Sequence, residues 1–179
     1  MRARSQNLSK PPRRLGIIAL EFLLVFPLLF ILLLAIFEFG LILAAAMHVE
    51  NAARLGAKYA AEVGDLDVFN DPGTMDNLKE RVDQYLNTAG YSDSCQVILE
   101  HNIAGVANPS QPNPLVADCP CNPVIGPIGS LPMHSVRVTV CLPMTGNIPN
   151  GLSSFGFDIS GCVVRASVVW IYEQMPVPP

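Results

Sequence analysis

The sequence predicts an α+β, membrane-anchored protein: one long N-terminal helix carrying a small antiparallel β-sheet head. Three observations lead there. Residues 1–14 hold five of the eleven basic side chains (Arg2, Arg4, Lys10, Arg13, Arg14) and no acid. From Leu15 to Met47 the only charges are Glu21 and Glu38. The remainder, His48 to Pro179, carries thirteen acids against six bases and breaks into short alternating runs. A basic tip, an apolar rod and an acidic remainder argue against an ordinary cytosolic enzyme. At 179 residues the chain is long enough for about one domain plus a tail.

The apolar rod is the first element. Phe22 to Met47 would reach about 39 Å as a helix, against a hydrocarbon core of roughly 30 Å. Helix is the expected state, because an unpaired backbone group in lipid costs several kcal/mol. Pro27 removes one internal hydrogen bond and is expected to kink it. The flanking cations place the N-terminus in the cytoplasm and the region from His48 onward outside. A cleaved secretory signal is the alternative, supported by the small triplet Ala44-Ala45-Ala46. Against it, the apolar run is about twice the usual 7–15 residues and contains glutamates. A core helix is disfavoured because nothing else in the chain is large enough to wrap it.

Glu21 is the sharpest feature of the rod. A carboxylate near a bilayer edge is costly and calls for a partner, unless it merely rests at headgroup depth near Arg13 and Arg14. The run Arg13-Arg14-Leu15-Gly16-Ile17-Ile18-Ala19-Leu20-Glu21-Phe22 has a basic pair, a glycine, four apolar residues, a glutamate and an aromatic residue. It matches the cleavage pattern of type IV prepilins. Cutting between Gly16 and Ile17 would place an ammonium one helical turn before the Glu21 carboxylate. In a bundle of such helices, the carboxylate of one chain can neutralise the amine of the next and set their axial register. Glu38 is the second acid, about 25 Å further along. It is expected either as a solvated residue at the outer membrane surface or as a contact to another subunit.

The longer string from Ala19 to Gly64 resembles the TadE-like family of the tight-adherence (Tad) pilus system. The resemblance lies in the Glu21-Phe22 start, the mid-helix Pro27, the second Glu38-Phe39-Gly40, and the stretch Asn51 to Ala57. It covers about residues 13–64. It implies a pilin-like architecture and a minor pseudopilin, processed by a prepilin peptidase and needed for pilus assembly and surface adherence. The implied partners are membrane lipid, the peptidase and other pilin-like subunits, in the bacterial inner membrane. An uncleaved, single-pass anchored binding module with a disulfide-stabilised head is the rival reading.

The helix is expected to continue beyond the membrane. Val49, Ala52, Ala53, Gly56, Ala60 and Val63 form one stripe, and Glu50, Arg54, Lys58 and Glu62 lie opposite. Gly64 and the acidic run that follows end it. Asp71-Pro72-Gly73 reads as a turn, with Thr74 capping a second helix that buries Met75, Leu78, Val82, Leu86 and Ala89 and stops at Gly90. Three strands are expected, at 95–101, 135–142 and 162–172. Between the first two, residues 103–133 hold seven prolines and read as a surface loop. The organisation is therefore a basic leader (1–16), a transmembrane helix (17–47), a stalk (48–64) and a head (65–179) that includes the insert.

All five cysteines (Cys95, Cys119, Cys121, Cys141, Cys162) fall in the head, as expected for disulfides in an oxidising envelope compartment. Five is odd, so one thiol stays free or pairs between chains, and connectivity is open. Cys119-Pro120-Cys121 with His101 or His134 could be drawn as a metal site, but its one-residue gap lacks zinc-knuckle spacing, and no metal is expected. Gly151-Leu152-Ser153-Ser154-Phe155-Gly156 is not a nucleophile elbow, and no phosphate loop or zinc-protease motif occurs. Neither catalysis, a cofactor, a small-molecule substrate nor nucleic acid is expected.

Overall fold

The computed structural model describes residues 15–63, 72–102, 107–110, 119, 121 and 131–172. Its spine is α1, Leu15–Val63, 49 residues and therefore about 73 Å long. Its leucine- and alanine-rich sequence favours helix throughout. Pro27 sits inside without ending it, since one lost backbone bond is a local cost in a long helix. The helix has two regimes. Every side chain from Ala19 to Phe30 is exposed. From Glu38 onward one stripe is buried: Glu38, Ala45, Val49, Ala52, Ala53, Gly56, Ala57 and Ala60, at steps of one, three, four or seven. The charged side opposite stays exposed, with ion pairs Arg54–Glu50 at 2.5 Å and Lys58–Glu62 at 3.7 Å. Exposed pairs of this kind contribute well under ~1 kcal/mol each, so burial of the small-residue stripe decides the packing.

The head is built on that stripe. Helix α2, Pro72–Thr88, packs Met75, Leu78, Val82 and Leu86 into the common core. The expected turn at Asp71-Pro72-Gly73 is replaced at Pro72 and Gly73 by helix, and Thr74 lies in the first turn rather than before it. Proline suits that place because a first-turn N–H has no intrahelical partner to lose. The helix stops as expected at Gly90, whose φ is 88°. Tyr91 N–H donates to Leu86 O at 3.0 Å and Gly90 N–H to Asn87 O at 3.0 Å, the glycine-dependent C-terminal cap.

Among the described residues the sheet is four-stranded and antiparallel, in the order β2-β1-β3-β4. Its strands are β1, Gln96–Asn102; β2, Ala107–Ser110; β3, Ser135–Pro143; and β4, Val163–Ile171. Register aligns Leu99 with Val138 and Val138 with Val168. One face therefore presents Val97, Leu99, Val136, Val138, Val140, Val164, Ala166 and Val168 to the helices. On the other face Arg137 reaches Glu100 at 3.3 Å, and the Thr139 and Ser167 hydroxyls lie 2.7 Å apart.

Strand β2 lies inside the proline-rich insert that the sequence reads as loop, with Pro109 opposite Glu100. An edge strand tolerates a proline because one side of its ladder faces no partner.

The far face also carries four of the five cysteines, around Ile98. Disulfides join Cys95 to Cys119 and Cys121 to Cys141, and the Cys162 thiol is free and exposed. Cys119 and Cys121 thus belong to different bridges and neither offers a thiolate to a metal. The bridges close loops of 24 and 20 residues. Chain entropy assigns about 3 kcal/mol to each. Replacing Cys121 and Cys141 together by alanine is expected to lower head stability by about that amount, read from Trp170 fluorescence during denaturant unfolding in detergent micelles. An unchanged midpoint would contradict it.

Candidate functional site

Two of the four glutamates of α1, Glu21 and Glu38, define the candidate site, and the fold treats them differently. Glu21 lies in the uncovered part of the helix, seventeen residues and about 26 Å from Glu38. The same count turns it about 100° away from Glu38 around the axis. Its neighbours one turn away along the chain, Ile17, Ile18, Leu24 and Val25, are all apolar. Among the described residues no cation pairs with it. Phe22, also exposed, begins a row of rings with Phe26 at 5.7 Å and Phe30 a further 6.2 Å on. Gly16 and Ile17 occupy the first turn of α1.

Glu38 is 3% exposed, which removes the solvated alternative. Its Oε2 accepts the backbone N–H of Leu152 at 3.1 Å, 114 residues away in sequence. Its Oε1 is buried without a hydrogen-bond partner among the described residues. The carboxylate therefore clasps a head loop onto the spine at the place where the buried stripe begins. The next residue reinforces the clasp, since the Phe39 and Phe157 rings lie 5.4 Å apart.

The clasped loop is closed on itself. A single 3₁₀ turn, Ser153–Phe155, ends at Gly156, whose φ of 90° is left-handed. Phe155 and Phe157 N–H groups both donate to Leu152 O, at 2.9 and 3.2 Å. The Asn150 amide donates to Asp158 Oδ1 at 2.6 Å, tying the loop at its neck. The Ser160 hydroxyl and backbone N–H donate to the same oxygen. Those donors, the Ser160 hydroxyl foremost, hold the Asp158 carboxyl below its ordinary range. Sequence reasoning passed over this loop except to exclude an enzyme motif. The available signal was an uncharged, turn-rich stretch carrying two phenylalanines inside an otherwise acidic head.

Replacing Glu38 with alanine leaves the Leu152 N–H without its acceptor, a loss of about 1–3 kcal/mol. The expected result is faster hydrogen exchange at Leu152 and easier proteolysis between residues 150 and 158, with the β-sheet intact. Wild-type protection of that loop would remove the clasp from the account.

The helix carrying both acids is long and apolar enough to cross a membrane. Residues 16–58, which include both, match the family model described as TadE-like protein. No curated protein and no solved structure matches the chain.

Proposed function

We propose, from the TadE-like character of residues 16–58, that the chain is a minor pseudopilin of a Tad-type pilus, structural rather than catalytic. The family match suggests association with a Tad pilus. The observation that carries the finer reading is Glu21, a carboxylate on an exposed, apolar, membrane-length helix with no cation beside it among the described residues. An acid so placed in lipid is costly alone and tolerable when another chain neutralises it.

In this reading the basic leader remains in the cytoplasm, and a prepilin peptidase cuts between Gly16 and Ile17. The new Ile17 ammonium then neutralises the Glu21 carboxylate of an adjacent pilin-like subunit. That contact fixes how far one helix is displaced along the next, and the uncovered surface of α1 from Ala19 to Phe37 supplies the remaining bundle contact. Glu38 contributes differently, by holding the chain's own head against the spine.

N-terminal sequencing of the protein from its native membrane tests this. A start at Ile17 is expected. A start at Met1 would leave only an uncleaved anchor carrying a disulfide-bonded head. A start at Met47 would make residues 1–46 a secretory signal.

A further inference from the structure

We propose that the loop from Gly151 to Phe157 is a second membrane contact, seated in the outer interfacial layer of the lipid bilayer beside the point where α1 emerges. The first argument is position. Glu38 and Phe39 hold the loop on the spine about 26 Å beyond Glu21, close to the roughly 30 Å of a hydrocarbon core. The loop therefore meets α1 where one side of the helix first becomes buried, with Leu43 and Met47 still exposed beyond it.

The second argument is chemistry. Residues 151–157 carry no charge. Phe155 is 59% and Phe157 39% exposed, beside a Phe39 that is 49% exposed. Two phenylalanines on a loop tip are out of place in water. They are in place at a lipid boundary, continuous with the apolar surface of the helix that crosses it.

The third argument is shape. The tip is already folded by its 3₁₀ turn and by the Asn150–Asp158 neck, so insertion orders little new chain. Asp158 follows Phe157 directly, and its charge keeps the neck at headgroup depth while the rings enter. The occupant is thus lipid, rather than a second copy of the chain.

This inference rests on α1 spanning the bilayer, and the test separates the two. The full chain is reconstituted into vesicles of equal parts phosphatidylethanolamine and phosphatidylglycerol, with or without lipid brominated near the carbonyl end of its acyl chains or, for the helix position, near the chain ends. Single tryptophans are introduced by Phe155→Trp, Phe157→Trp or, in the helix, Leu29→Trp, each with Trp170→Phe. If Trp170→Phe unfolds the head, the same substitutions are read as added emission over the wild type. Blue-shifted emission at position 155, with about half of it lost to brominated lipid, is expected for a ring ~5–10 Å into the boundary. Quenching at position 29 with position 155 open to aqueous iodide overturns the loop contact alone. Shielding at 155 from both quenchers, varying with the protein-to-lipid ratio, assigns the tip to another copy and also overturns it. Loss of quenching at position 29 removes the membrane span and the inference with it.

Discussion

Glu21→Ala is expected to abolish piliation while the protein still fractionates with the membrane. The asymmetry follows from where the charge acts. Insertion depends on the apolar run from Phe22, which alanine leaves intact and makes slightly easier to bury. In the proposed assembly a cation must find an anion in lipid, and leaving one such partner unpaired costs about 3–5 kcal/mol. At about 1.4 kcal/mol per tenfold, that is a hundredfold or greater loss in subunit association. Glu21→Gln should behave like alanine, since an amide cannot neutralise an ammonium. Glu21→Asp should recover part of the function, because the charge is kept and its reach shortened by one methylene. Pilus counts by electron microscopy, beside immunoblots of membrane fractions, check the series. Normal piliation in the alanine variant would reduce α1 to a plain anchor.

Gly56→Leu carries the second large expected effect, and it falls on the head rather than on assembly. Gly56 lies where α1, α2 and β3 converge. A Cβ placed there would meet Val138 Cγ1 and Val82 Cγ2 at 3.2 Å and Leu78 Cδ1 at 3.5 Å. Those neighbours are core side chains from two other elements, so they cannot all retreat. Leucine adds three further carbons to a space that barely admits one. Overpacking of that sort costs about 1–3 kcal/mol or more, a large fraction of the few kcal/mol that hold a small domain folded. Gly56→Ala should be far milder, because the helix propensity gained, near 1 kcal/mol, opposes the crowding. The expected order of thermal stability is therefore wild type close to alanine, with leucine far below both. A leucine variant that melts like the wild type would mean the helices stand further from the sheet than described.

The elements most legible in the sequence were those fixed by local rules. The apolar run has no alternative to helix, and the small-residue stripe from Val49 already identified the face that packs. Strand β3 alternates valine with polar residues from Ser135 to Val140, and Gly90 ends α2 because only glycine takes φ near 88° without strain. Other features depended on distant chain. Pro109 argues against a strand until β1 is known to lie on one side only. Pro72 reads as a turn until its lack of an N–H is seen to cost nothing in a first helical turn. The pairing of five cysteines cannot be deduced from spacing. Glu38 is the clearest case: on a helical projection it suggests water or a neighbouring chain, and the group it holds is an amide 114 positions away.

The continuity of α1 from Leu15 to Val63 has a mechanical consequence. Among the described residues the main core of the head includes this helix, since Ala45, Val49, Ala52, Ala53, Ala57, Ala60 and Ala61 belong to it. In the proposed assembly, a pull or twist applied to the spine would therefore act directly on the head, as through a shaft fixed to its load. A single-residue slip in how neighbouring spines mesh, about 1.5 Å of rise and 100° of turn, would swing the outward surface by more than a quarter revolution. In the proposed assembly, the position of Glu21 would in this way choose which side of the head is turned outward from the bundle.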